Sequence, residues 1–167
     1  MKVERITRLG IFLAFAMILS YVEALIPFNF MIPGMKLGLA NLCIVVVLYL
    51  YGPFDALLIN LVRVFLTAFM FTNLYSFLLS LAGALLSFLA MYLMEKTDKF
   101  QILTVSSAGG LFHNIGQLIM ASILYSSVYI MYYAIVLMIT GLVTGILIGI
   151  LSTEILKRTR NYLEIIR

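Results

Sequence analysis

The dominant feature of this sequence is a succession of long apolar segments separated by short polar turns. A bilayer-spanning helix needs about 20 mostly apolar residues, so 167 residues leave room for about six such helices with short loops. Only 11% of the residues are charged, against about 25% in a typical soluble domain. The sequence therefore predicts an all-α integral membrane protein, with residues 1–167 forming a single domain of six transmembrane helices.

The predicted spans end where proline, glycine or polar residues interrupt the apolar runs. We expect them at about Thr7–Ile26, Gly34–Tyr51, Phe54–Phe71, Leu74–Met94, Val105–Leu124 and Tyr132–Leu156. The linker Glu95–Gln101, between the fourth and fifth spans, is the only strongly polar internal segment.

The basic residues predict how the chain is oriented in the membrane. With six spans, nine of the eleven fall on one side: Lys2, Arg5, Arg8, Lys96, Lys99, Lys157, Arg158, Arg160 and Arg167. Lys36 falls on the other side and Arg63 within the third span. An excess of Lys and Arg marks the cytoplasmic side, so both termini are expected there. No basic face interleaved with aromatic residues suggests a nucleic-acid partner.

Polar residues at the junction of the first two spans predict a binding site. Glu23, Asn29, Lys36 and Asn41 interrupt an otherwise apolar region that also contains two prolines. Charges near the membrane are costly unless they are paired or used for function. For Lys36 alone, an interfacial lysine that extends its amine into water is the simpler interpretation.

Further polar residues lie inside two predicted spans. Arg63 is near the middle of the third span, and His113, Asn114 and Gln117 lie in the fifth. Arg63 requires acceptors, which are either Glu23 or an anionic ligand. His113 either packs, binds a ligand or relays protons, since histidine titrates near neutral pH.

Rows of small residues allow helices to approach closely. The sixth span has a ladder of Gly141, Gly145 and Gly149, which predicts packing within the chain. In the first span, the pairs Gly10–Ala14 and Ala16–Ser20 instead leave open the docking of a partner membrane subunit.

Several chemistries are not expected from this chain alone. One cysteine and one histidine do not assemble a four-ligand zinc site, and no G-x-x-x-x-G-K-[ST] segment binds ATP. Asp55 and Asp98, the only aspartates, are far apart in sequence, whereas prenyl diphosphate synthases hold magnesium through aspartate-rich clusters. We expect no enzymatic activity of the chain alone, no resident metal and no cofactor.

Several motifs together resemble a known family. They are E-x-x-I-P at Glu23–Pro27, P-G-M-K-L-G-L-A-N at Pro33–Asn41, the intramembrane Arg63, S-L-A-G at Ser80–Gly83 and G-G-L-F-H-N-I-G-Q at Gly109–Gln117. This combination resembles the Gx transporter family, also described as heptaprenyl diphosphate synthase component I. That family is similar in size and span number to the substrate-binding (S) components of energy-coupling factor transporters.

The resemblance implies a six-helix S-component-like bundle in the lipid of a prokaryotic cytoplasmic (inner) membrane. Such a component captures a small molecule at the outer face, here partly apolar and anionic, such as an isoprenoid, quinone or vitamin-like precursor. The resemblance implies that the loop Pro27–Lys36 is a lid, and that an energy-coupling membrane subunit and two ATPase subunits are partners. It also makes Gly10, Ala14, Ala16 and Ser20 the candidate docking face.

Two other functions stay open. One is a non-catalytic accessory subunit that holds a polyprenyl diphosphate synthase through Glu95–Gln101 and the basic tail. The other is a self-contained proton-coupled carrier with Glu23 and His113 as titrating groups, although the chain lacks the internal repeat common in such carriers.

Overall fold

The structure of the protein is a computed structural model that describes residues 2–25, 38–71, 73–125 and 134–166. These residues form six helices: α1 (Lys2–Leu25), α2 (Asn41–Tyr51), α3 (Pro53–Phe71), α4 (Leu74–Glu95), α5 (Ile102–Tyr125) and α6 (Ala134–Ile166). The all-α prediction is confirmed for the described part of the chain. Asn29, Lys36 and the predicted lid Pro27–Lys36 lie outside the described residues.

Four of the six described helices are long and apolar enough to cross a membrane. Their candidate spans are Val3–Leu25, Pro53–Met70, Leu74–Glu95 and Ala134–Thr159. Large apolar side chains such as Phe15, Phe69 and Ile135 are exposed on their outer surfaces, as expected where lipid tails are the solvent. The chain is therefore a multi-pass membrane protein.

Helix α2 is shorter than the predicted span, which placed its start at Gly34. The helix begins at Asn41, because Gly38 has a φ of +85° and Gly38–Ala40 form a turn in which the Asn41 N–H donates to the Gly38 carbonyl at 2.9 Å. Its 11 residues extend about 16 Å, roughly half of the hydrocarbon core. The apolar side chains from Ile44 to Leu48 are buried in the main hydrophobic core.

Helix α5 is long but less apolar than the four candidate spans. Its polar side chains face other helices, whereas apolar side chains such as Ile119 and Ile123 are exposed. Its 24 residues pack mainly between α4 and α6 and also touch α2. Ser106, Ser107, His113, Asn114 and Gln117 are buried there. Polar side chains are tolerated at membrane depth when they face other helices instead of lipid.

The glycine ladder of α6 is what lets α5 come so close. A Cβ atom on Gly145 would lie 2.7 Å from the Ser106 carbonyl oxygen, and one on Gly149 would lie 2.8 Å from Leu103 Cα. In the space that these glycines leave, the Ser106 hydroxyl donates to the Gly145 carbonyl at 2.8 Å. Packing within the chain, the first interpretation of this ladder, is confirmed.

Contacts gather the basic segments at one end of the bundle, here called the basic end (Arg5, Arg8, Lys96, Lys99, Lys157 and Arg158). Arg5 Nε donates to both carboxylate oxygens of Asp55 at 3.2 Å, and Arg8 lies over the Tyr51 ring. Tyr49, two residues before Tyr51, interacts electrostatically with Glu95 and Asp98 of the α4–α5 linker. A groove then joins that linker at Phe100–Leu103 to α6 at Ile150–Lys157.

We predict that Gly145→Ala lowers the thermal stability of the purified protein in detergent. The added methyl group would lie 2.7 Å from backbone atoms of α5, so the helices must separate, at a cost of about 1–3 kcal/mol. Gly10→Ala is the matched control, because nothing lies within 4 Å of a Cβ at Gly10 and alanine favours the helix. Equal melting temperatures of the two variants would contradict the packing role of Gly145.

Candidate functional site

Polar side chains from five helices meet inside the bundle and form the candidate site, here called the polar layer. It consists of Ser20 and Glu23 on α1, Asn41 on α2, Asn60 and Arg63 on α3, Ser80 on α4, and His113 and Gln117 on α5. Every one of these side chains is buried. Burying polar groups is costly unless their hydrogen bonds are replaced, so the partners of each group indicate its role.

Arg63 is the charged centre of the polar layer. Its Nη2 donates to Asn60 Oδ1 at 2.9 Å and its Nη1 to Ser20 Oγ at 3.3 Å. Asn60 in turn donates from Nδ2 to the Ala84 carbonyl at 3.2 Å. Arg63 thus connects α1, α3 and, through Asn60, α4, while its Nε has no hydrogen-bond partner among the described residues.

The Glu23 carboxylate interacts with groups on two other segments, α3 and the turn before α2. It interacts electrostatically with Arg63, as one of the two sequence alternatives predicted. It also accepts a hydrogen bond from the Gly38 N–H, at the turn that precedes α2. The carboxylate therefore connects the end of α1 to the start of α2.

Gly38 brings Asn41 and His113 to the same place. A Cβ on Gly38 would lie 3.0 Å from Asn41 Nδ2 and 3.9 Å from His113 Cδ2. With a φ of +85°, the position also favours glycine on conformational grounds. Three of the predicted site residues, Glu23, Asn41 and His113, thus surround one glycine.

His113 and Gln117 pack against Gly83 of α4. A Cβ on Gly83 would lie 2.9 Å from Gln117 Cγ and 3.1 Å from His113 Cε1. Within the part of the chain that the structure describes, neither amide atom of Gln117 has a hydrogen-bond partner, and the Ser80 hydroxyl has none either. Buried polar atoms in proteins are almost always paired, so the unpaired atoms of Gln117 and Ser80 distinguish this part of the polar layer.

Asn114 points to a different helix. Its Nδ2 donates to the Leu137 carbonyl at 2.6 Å, near the start of α6. Residues 113 and 117 share one face of α5, whereas residue 114 is rotated by about 100° from residue 113. The donor of Asn114 therefore holds α5 to α6, and its participation in ligand binding stays a prediction.

The structure adds groups to the site that the sequence did not single out as site residues. Asn60 lies three residues before Arg63 on the same helix face, so its spacing was the available signal. Ser80 belongs to the S-L-A-G motif. No sequence signal identified Gly38 as the position whose N–H meets Glu23.

The predicted docking face divides into two parts. Gly10 and Ala14 are exposed on the outer side of α1. Ala16 is fully buried in the hydrophobic core, and Ser20 is buried as an acceptor for Arg63. Ala16 and Ser20 therefore offer no surface to a partner, because the same helix uses that side to pack on the bundle, and the docking prediction stays with Gly10 and Ala14.

Several membrane-spanning helices around a buried arginine and its amide-bearing neighbours define a multi-pass membrane protein with a polar interior. Residues 12–155 match the sequence model of the family described as heptaprenyl diphosphate synthase component I. The chain belongs to that family, which confirms the resemblance drawn from its motifs. The match includes all of the polar layer. No curated protein and no solved structure matches the chain.

We predict that Asn114→Leu lowers the stability of the protein and that Gln117→Leu does not. The first change removes the hydrogen bond to Leu137, and hydrogen bonds between membrane helices contribute about 0.6 kcal/mol and up to about 1.7. The second removes an amide that has no partner among the described residues, so the melting temperature should stay equal or rise. Thermal unfolding in detergent measures both, and a larger loss in Gln117→Leu would contradict this description of α5.

Proposed function

We propose that this chain is the membrane-embedded substrate-binding component of an energy-coupling-factor-type transporter. It captures a small, partly apolar, anionic molecule at the outer face of the cytoplasmic membrane. The observation that carries the proposal is Arg63, a buried cation whose guanidinium donates, within the described residues, to the neutral groups of Ser20 and Asn60. This cation leaves Nε as a donor for an anion.

The composition of the polar layer supports an anionic ligand. Glu23 offsets part of the Arg63 charge, but its carboxylate also serves the Gly38 N–H. A guanidinium offers several donors in a fixed planar arrangement and binds carboxylate and phosphate groups well. The apolar walls of the ligand site would come from the surrounding helices, as in most small-molecule sites.

We also propose that the chain crosses the membrane six times with both termini in the cytoplasm. The gathering of basic residues at the basic end supports this orientation. Glu23 and Gly38 then lie towards the outer face, and residues 26–37 connect their two helices. In this proposal the segment Pro27–Lys36 closes over the bound molecule, and Asn29 and Lys36 contribute polar contacts.

The energy for transport would come from other subunits. The sequence contains no segment that binds ATP by a P-loop, so the proposal requires a coupling membrane subunit and two ATPases. Gly10 and Ala14 make a shallow, exposed part of α1, with nothing within 4 Å of a Cβ at Gly10. Small residues of this kind allow another helix to approach.

We expect Arg63→Ala to weaken binding by about 10- to 100-fold, the usual contribution of a hydrogen bond to a charged group. Lys36→Ala should weaken it as well. The probe is the small-molecule extract of the expressing cells, applied to the immobilised protein, and the retained compounds are quantified by mass spectrometry. Lys99→Ala, at the exposed basic end, is the control. Equal retention by all three variants and the unmodified protein would remove Arg63 and Lys36 from the site.

A second candidate function follows from the family description, which names a component of heptaprenyl diphosphate synthase. In this alternative the chain is a membrane accessory subunit, and a soluble synthase docks at the basic end. A groove of about 660 Å³ there is lined by Phe100–Leu103 and Ile150, Leu151, Thr153, Glu154 and Lys157. It combines apolar and charged residues, as protein interfaces do.

Purification from native membranes in mild detergent distinguishes the two functions. The transporter proposal predicts that a membrane coupling subunit and paired ATPases co-purify, and that Gly10→Leu reduces their recovery while Lys157→Glu does not. Recovery of a prenyl synthase instead, lost in Lys157→Glu, would favour the accessory subunit. If neither partner is recovered with the intact protein, the transporter proposal fails in this form.

A further inference from the structure

The amide of Gln117 is an unusual group for the interior of a membrane protein. The side chain is 1% exposed, and neither Nε2 nor Oε1 has a hydrogen-bond partner among the described residues. A glutamine amide has two donor hydrogens and an oxygen with two lone pairs. If all of them stay unpaired, the folded protein loses the free energy of the hydrogen bonds that the amide makes with water in the unfolded chain.

Packing alone does not explain a glutamine at this position. A leucine or methionine would fill a similar volume without unpaired atoms. Asn114, one turn earlier on the same helix, is a buried amide with a structural role, because its Nδ2 donates a hydrogen bond to the Leu137 carbonyl. Gln117 has no such bond in the described part of the chain, so its amide differs from one that holds helices together.

The α4 surface that packs against Gln117 is also polar. Gly83 contributes no side chain, and its backbone approaches Gln117 Cγ closely. Ser80 lies three residues before Gly83, on the same face of α4. Ser87, four residues after Gly83, lies against Gly109, about two helical turns from Gln117. Both serines are buried, and their hydroxyls have no hydrogen-bond partner among the described residues.

The same α4 segment connects Gln117 to Arg63. Gly83 touches Gln117, and the carbonyl of the next residue, Ala84, accepts from Asn60. Asn60 in turn accepts from Arg63. The cation and the amide are therefore two recognition points within one polar layer.

We infer that Gln117 determines the specificity of the site by pairing with a neutral donor–acceptor edge of the bound molecule, such as a carboxamide or a lactam. A carboxylate would satisfy only Nε2, and an ammonium group only Oε1, whereas an adjacent carbonyl and N–H satisfy both atoms. The ligand class is then an anionic molecule that meets Arg63 and also carries such an edge. This inference rests on the proposed function.

The test compares the intact protein with Gln117→Leu and Gln117→Met, which both remove the two polar atoms, and with Thr104→Val. Thr104 is an exposed polar residue of the same helix and is the control. Each protein is incubated with the small-molecule extract of the expressing cells. Retained compounds are identified by mass spectrometry, and their affinities are then measured singly, together with an analogue methylated at the edge nitrogen.

The intact protein and Thr104→Val should retain an anionic compound with a carboxamide- or lactam-type edge. Both should discriminate against the N-methyl analogue by about 100-fold or more, as sites built to hydrogen-bond a substrate do. The two Gln117 variants should bind the compound and its analogue alike. A merely structural role would lower both affinities together and leave their ratio unchanged.

The outcomes separate the role of Gln117 from the proposed function. A retained compound that lacks such an edge, or an affinity ratio that is the same in the Gln117 variants and the intact protein, would overturn the role of Gln117 and leave the proposed function in place. No compound retained by the intact protein would overturn the proposed function itself, and this inference with it.

Discussion

A guanidinium buried among membrane helices must be surrounded by acceptors, and the architecture depends on how Arg63 meets that requirement. Its partners come from α1 and α3, and Asn60 extends the connection to α4. Glu23 adds an opposite charge while it holds the turn before α2. The helices are therefore arranged around an electrostatic constraint, in a setting where apolar surface alone gives little preference for one arrangement over another.

The polar layer also requires a polar helix, and glycine packing makes that helix possible. Helix α5 carries His113, Asn114 and Gln117, and these side chains are buried because α4 and α6 pack closely against the helix. The ladder on α6 and Gly83 on α4 allow this approach. An amide with no partner among the described residues, such as that of Gln117, has a cost in stability, and proteins accept such costs most often at functional sites.

The predicted bounds were most accurate where the chain has unambiguous stop signals. Gly52-Pro53 and Asn73 delimit α3 and α4, and both helices start within one residue of the prediction. The predicted start of α2 was wrong, because the sequence does not reveal that Gly38 adopts a positive φ and that a turn at Gly38–Ala40 precedes the helix. Most of the polar layer was predicted from the cost of burying polar groups, whereas the separation of Asn114 from Gln117 was not.

The sequence by itself determined that the chain is an all-α membrane protein of its family and that a few polar residues are buried at high cost. These conclusions depend on composition, on local periodicity and on motifs, all of which are properties of the chain alone. Only the tertiary structure decided which groups meet: that Ser20 faces Arg63 instead of a partner, that Gly38 donates to Glu23, and that Gln117 is left with its amide unpaired among the described residues. Such pairings depend on how far each helix is rotated about its axis and how deep it lies in the bundle. Many contacts between residues distant in sequence determine both quantities jointly.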